Sequence, residues 1–312
     1  MNGPQPPTLM SECRETFPCF GSECTVIVDG AGAEDGVALA KRRLLEWHGQ
    51  FSRFEADSEL SRLNGDPRTT VPVSPLMRRL VEAVVEAARS TGGLVDATLV
   101  GEIERAGYQS HFDGDSVPLA EALRMAPPRV PGGPSPTARW REITVDRRTG
   151  RVTRPPGVEI DSGGLAKGVF ADELSALLAD YDQFAVDCAG DIRLGGRAGI
   201  PRDVHVAGPF DGATLHTFAV AGGAVATSGI GKRSWIDGDG RPAHHLLDPA
   251  TGRPAFTGIV QVTALAPTAT RAEMLTKSTI LAGPDQARDR LVHGGVVVLD
   301  DGSHWVVEPP PA

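Results

Sequence analysis

From Glu142 onward the chain offers one short strand pattern after another: Glu142–Asp146, Gly157–Ile160, Phe184–Asp187, Val204–Ala207, Thr214–Ala219 and Ile259–Leu265. Only two helical patterns fall among them, one from near Gly164 to about Ala179 and one over roughly Thr270–Leu281. Parallel neighbours need a crossover of a dozen or more residues, usually a helix. Strands that follow one another directly therefore select an α+β fold, with a mixed or largely antiparallel sheet core and flanking helices. Upstream, Cys24–Val28 alternates as a first strand, and apolar residues recur at helical spacing from Glu34 to about Phe54. A short helical turn follows near Ser58–Asn64, then a helix over Pro75–Ser90 that stops at Thr91-Gly92-Gly93.

The 312 residues, 40% of them hydrophobic, suffice for one elaborated domain or two intimate lobes. Residues 1–16 are polar and contain prolines, which predicts a flexible tail ahead of a single domain over 17–312. The Pro- and Gly-rich stretch 127–137 (PPRVPGGPSPT) reads as an exposed loop inside that domain. A net charge of −9 without any basic run argues against a nucleic-acid partner and against an anionic lipid surface. Four cysteines, at 13, 19, 24 and 188, lack zinc-ligand spacing and read as free thiols. No signal-peptide pattern and no apolar run of membrane-spanning length is present, so the expectation is a cytoplasmic protein without membrane insertion.

Three segments carry chemistry. In GVEIDSGGLAKGVFADEL (157–174) a strand ending at Asp161 turns through Ser162-Gly163-Gly164 into a helix. Free N–H groups at a helix start attract phosphate oxygens, Lys167 adds a point charge, and Asp161 can accept from a ring N–H or a sugar. Equally, Ser162 can simply cap the helix while Lys167 faces water. In 224–254 a glycine-rich turn, His244-His245 and Asp248-Pro249 share one strand-turn-strand unit. A histidine beside a carboxylate suits proton transfer; a hairpin with surface histidines fits the same pattern. In TALAPTATRAEMLTKSTILAG (263–283) Glu273 and Lys277 stand one i,i+4 step apart, which taken alone describes a solvated helix face.

Taken in order, these segments resemble the ApbE family, the FAD:protein FMN transferases, from about residue 17 to 283. The resemblance rests on Phe20-Gly21-Ser22, FSRFEADSELSRLN (51–64), Val95-Asp96-Ala97-Thr98 and IDSGGLAKG (160–168). It continues through a glycine-aspartate turn GDIRLGG (190–196), a turn at Thr227-Ser228-Gly229, and HHLLDPATG (244–252). It implies a T-fold-like, ApbE-like architecture. It also implies FAD as substrate, contacting Phe20, the Leu94-Val95-Asp96 turn, Asp161, Lys167, Ser228 and Leu247. The implied reaction moves FMN from FAD onto a threonine hydroxyl of an acceptor protein and releases AMP. His245 is the candidate base, with Asp248 and Lys277 as further catalytic candidates.

The resemblance also implies Mg²⁺, bound through a backbone oxygen at Gly164 and through side chains of the last helix. Ungapped matching puts Glu273 at the family's metal-binding aspartate and Lys277, next to Thr276, at its metal-binding threonine. Glutamate can ligate Mg²⁺, but a charged ammonium has no lone pair, so Lys277 is expected to replace part of the metal's charge. Two other functions fit the same residues: hydrolysis of FAD to FMN and AMP, and flavin binding without catalysis.

Overall fold

The computed structural model describes residues 12–110 and 116–310, so residues 1–11 of the expected tail lie outside the described residues. Its centre is one eight-stranded sheet. The strands are β1 (Cys13–Cys19), β2 (Ser22–Asp29), β3 (Gln183–Cys188), β4 (Asp191–Gly195), β5 (Gly223–Gly229), β6 (Ile259–Ala266), β7 (Gly295–Leu299) and β8 (His304–Val307). Each pairs antiparallel with the next, so order in space equals order in the chain. Antiparallel neighbours can be joined without a crossover helix, as β1–β2, β3–β4 and β7–β8 are, while the strands Arg202–Ala207 and Thr214–Val220 form a separate two-stranded sheet.

The helices α1 (Ala33–Phe51), α2 (Glu59–Gly65), α3 (Pro75–Ser90), α4 (Ala166–Leu177) and α5 (Ala269–Ala282) are inserted into these links. Helix α1 packs on β1 and β2, α4 on β3 and β4, and α5 on β5 and β6, while α4 and α5 also pack on each other. In α1 the residues Val37, Ala40, Leu44 and Phe51 recur on one face and are buried, each large one contributing ~1.5–3 kcal/mol. Helix α3 starts where the Ser74 hydroxyl accepts from the Met77 N–H and Pro75 fills the first turn. It ends at Gly92 and Gly93, whose φ of 65° and 90° continue the chain in a conformation other residues adopt at a cost.

Several expectations need correction. Residues Cys13–Thr16 are not tail but the first half of β1, paired with Thr25–Val28. Gly157–Ile160 forms no strand. The Asn64 side chain replaces the ladder there: its amide donates to the Ile160 carbonyl and accepts from the Ile160 N–H, both at 2.9 Å. Most of 190–196 is strand β4 rather than a turn, and Thr227-Ser228-Gly229 ends strand β5. The stretch 127–137 is a loop without regular structure that docks on the core: the Gly132 N–H donates to the Leu281 carbonyl and the Gly133 N–H to Asp248. All four cysteines are free.

Candidate active site

One deep cleft opens where the β1–β2 turn, the end of α1, the segment after α3, the start of α4, the hairpins around 233–249 and the end of α5 converge. Its apolar lining includes Phe20, Phe51, Leu94, Tyr108 and Phe170. Phe20 stacks on Phe170 at 5.9 Å between ring centroids and meets the His48 ring edge-on at 5.1 Å. It is held there by a tight turn: Phe20 and Gly21 both have positive φ, 57° and 67°, between the paired residues Cys19 and Ser22. A two-residue turn of this kind matches strand twist, but a phenylalanine in it costs about 1–2 kcal/mol. That strain marks Phe20 as placed for the cleft.

At the α4 end, Asp161 is fixed by its N–H to the Ala97 carbonyl (2.8 Å), and its carboxylate accepts from the Gly163 N–H (3.0 Å). Ser162 does not cap the helix; its hydroxyl donates to the Phe51 carbonyl. Arg53 lies 3.8 Å from Asp161, bonds Glu104 and spreads over the rings of Phe54 and Tyr108. Asp96 uses one carboxylate oxygen on Thr98, while the other, Oδ2, is buried with no partner. Burial raises its pKa, outweighing the Thr98 bonds.

His244 and His245 are not surface residues. His244 is sealed off, its Nε2 on the Ala255 carbonyl and its Nδ1 on the Leu246 N–H, and burial lowers its pKa to about 4. His245 lines the cleft, and its Nδ1 is buried without a partner. Burial, then the positive charge of Arg233, hold its pKa well below 6.5, so the ring is neutral at pH 7. Arg233, itself at φ 57°, donates to the Phe20 carbonyl at 2.8 Å and joins the cleft wall.

Two lysines of the cleft lining, Lys167 and Lys277, belong to a buried charge cluster behind it. Glu273 is 0% exposed and Lys277 8%, so this i,i+4 pair is not the solvated face its spacing describes. Lys277 Nζ donates to Glu273 Oε1 at 3.0 Å, and Glu273 Oε2 accepts from the Gly168 N–H at 3.1 Å. Lys167 pairs with Asp191 and stands 3.9 Å from Glu273. Burial opposes charge on Lys167, but the two carboxylates outweigh it and hold the ammonium above its usual range. Burial and the neighbouring Asp191 push the Glu273 carboxyl up, against the pull of Lys277 and Lys167.

A sequence model of the ApbE family matches residues 20–299. The chain belongs to the ApbE family. The FAD:protein FMN transferase of Escherichia coli K12 is 24% identical over 258 residues, covering 80% of this chain and 71% of that one. The Vibrio cholerae protein of the same name is 29% identical over 258 residues, covering 78% and 72%. The solved ApbE protein of Thermotoga maritima superposes with a TM-score of 0.77 at 25% identity, covering 95% of this chain and 96% of that one. The apo flavinyl transferase ApbE of Pseudomonas stutzeri gives 0.76 at 22% identity, covering 98% and 96%, a likeness of fold.

Set against the ApbE resemblance, the cleft wall gathers Phe20, Leu94, Val95, Asp96, Asp161, Gly164, Lys167, His245, Leu247 and Lys277 from distant parts of the chain. It does not include Asp248, Ser228, Glu273 or Thr276. Asp248 organises a turn: its carboxylate accepts from the Gly133 and Ala250 N–H groups and the Thr251 hydroxyl. Ser228 and Thr276 bond each other at 2.7 Å between β5 and α5. Arg53, Tyr108 and Arg233 line the cleft but were not singled out from the sequence. Arg53 stands inside the quoted FSRFEADSELSRLN motif, so the signal was available; Arg233 carries none beyond its glycine-rich surroundings.

The expected Mg²⁺ does not fit these residues. Magnesium requires near-octahedral oxygen ligands, whereas both Glu273 oxygens are taken by Lys277 and Gly168, and Thr276 is engaged with Ser228 and the Glu273 carbonyl. Lys277 offers a positive charge where a ligand was expected. Among the described residues no group of three or more His, Cys, Asp or Glu has the arrangement of a metal site.

Proposed function

We propose that this ApbE-family protein is a FAD:protein FMN transferase acting on a threonine hydroxyl. The observation that carries this reading is that an otherwise largely apolar cleft holds two buried polar atoms without partners, Asp96 Oδ2 and His245 Nδ1. Buried polar atoms of that kind are costly unless a ligand satisfies them. The isoalloxazine ring system suits the aromatic lining at Phe20, Phe51 and Phe170, with Asp96 and Asp161 as acceptors for its N–H and the ribityl hydroxyls. Its pyrophosphate then falls toward Arg233, Lys277 and His245.

In the transfer, the threonine oxygen bonds to the FMN phosphorus while the bond from that phosphorus to the bridging oxygen breaks. AMP leaves with the bridging oxygen, and the threonine proton passes to neutral His245 Nδ1. Since little covalent work falls to the protein, positioning and charge stabilisation carry the rate. The test is to incubate the protein with FAD and a threonine-containing peptide, then measure AMP by chromatography and FMN on the peptide by mass spectrometry. AMP with a peptide adduct supports transfer, AMP without one at any peptide sequence tried points to hydrolysis, and bound but intact FAD refutes an enzymatic role. Replacing His245 by Gln should slow AMP release by about 10²–10⁴-fold.

A further inference from the structure

We infer that the Lys277 ammonium supplies the positive charge at the pyrophosphate of bound FAD, so that binding and cleavage proceed without a divalent cation. The inference rests on the flavin-transferase reading above. Lys277 sits on the cleft wall, reaches in from α5, and is anchored to a fully buried carboxylate one helical turn back. Glu273 takes one of its three N–H donors, and the others remain to meet phosphate oxygens. The anchor also fixes the charge before ligand arrives, which is the condition under which an electrostatic contact contributes most.

Charge balance supports the same conclusion. Lys167 is paired with Asp191 and Lys277 with Glu273, so each ammonium already has a carboxylate partner. A divalent cation would enter against two ammonium groups and compete with Lys277 for its carboxylate. A purely structural role explains the arrangement poorly, since a buried ion pair is stabilised no better than a well-packed apolar pair of similar volume. With Arg233 also lining the cleft, the incoming pyrophosphate meets two side-chain cations that need no metal.

The experiment measures FAD, ADP and riboflavin affinity, and AMP release from FAD, in EDTA and in millimolar Mg²⁺. Wild-type values should agree between the two buffers within about twofold, as expected when a fixed side chain does the neutralising. Lys277→Met should weaken FAD and ADP by about tenfold or more and slow AMP release about a hundredfold, with riboflavin affinity unchanged because it has no phosphate. A tenfold or greater rise in wild-type FAD affinity or AMP release with Mg²⁺ overturns the inference and leaves the transferase reading intact. Equal loss of riboflavin and ADP affinity in Lys277→Met also overturns it, because the residue would then be shaping the cleft. Absence of FAD binding in both buffers removes the flavin reading and the inference with it. The wild-type arm decides the question even where the variant does not fold.

Discussion

Gly168→Ala is a severe test of how the two central helices hold the site. A methyl carbon at Gly168 would stand 2.8 Å from the Thr270 Cα and N and 2.9 Å from the Ala269 carbonyl carbon. All three are backbone atoms in the first turn of α5, and ordinary carbon contacts lie near 3.5–4.0 Å, so α4 and α5 must part by roughly 0.7 Å. They cannot part freely, because the Asp172 carboxylate, one turn along α4, accepts from the Ala269 and Thr270 N–H groups and the Thr270 hydroxyl. Overpacking costs about 1–3 kcal/mol. Alanine's better helix propensity returns about 0.5–1 kcal/mol, leaving a net loss of up to about 2.5, centred at about 1. With a urea slope near 3 kcal/mol/M the midpoint should fall by about 0.4 M and by no more than about 0.8 M. The same shift pulls the Gly168 N–H from Glu273 and moves Lys277, so AMP release should drop by about tenfold or more. Gly164→Ala is the control: nothing lies within 4 Å of its added carbon, so stability should stay within about 0.5 kcal/mol. A Gly168→Ala protein as stable as wild type, or more so, would show that propensity outweighs the clash and refute the argument.

Arg154 is 0% exposed and donates to the Leu63, Asn64, Asp66 and Pro155 carbonyls, closing the end of α2. Arg154→Met should cost about 3 kcal/mol in urea unfolding by leaving those carbonyls unpaired, and an unchanged midpoint would contradict this. Because burial lowers His244 to about 4, the unfolded chain binds the extra proton between pH 6.5 and 4, so stability should rise with pH across that window and level off above it. The span is about 3 kcal/mol, checked by urea midpoints from pH 4 to 8, where a flat profile would exclude a neutral buried ring. Since burial and Arg233 keep His245 neutral, its share of the pH dependence of AMP release should appear only well below pH 6.5. A fall in rate centred at 6.5 or above would remove it as the base. Phe20→Asn should relieve the left-handed backbone at that turn while weakening riboflavin binding by about tenfold, because the stacked ring is lost.

Helix α3 was legible to the residue because its signals are local: serine, proline and a double glycine act within one turn of where they stand. The antiparallel sheet was legible from strand order. Gly157–Ile160 was misread because its apolar alternation is real but the partner is the Asn64 amide, about a hundred residues away. Strand β5 escaped because Gly223–Gly229 is built of small residues, and a strand buried between β4 and β6 needs little bulk. Within the site, residues belonging to turn and glycine motifs were found on the cleft, whereas Asp248 and Ser228 turned out to serve the scaffold. An aspartate before proline in a hairpin looks the same in sequence whether its oxygens hold a turn or a proton.

The Glu273–Lys277 pair shows why spacing alone decides so little. On an exposed helix an i,i+4 ion pair is worth ~0.3–0.5 kcal/mol and places no demand on its surroundings. In α5 both partners are buried, so every neighbouring group has to be arranged for them: the Gly168 N–H, Lys167 and Asp191 all converge on the same few ångströms. Gly168 must lack a side chain for α4 to come close enough to donate that N–H at all. The glycine of the IDSGGLAKG motif and the glutamate of the last helix are thus one structural requirement read at two places in the sequence. Its consequence is a pair of ammonium groups lining the cleft, each held by a carboxylate, from which a pyrophosphate would draw Lys277 into a second partnership.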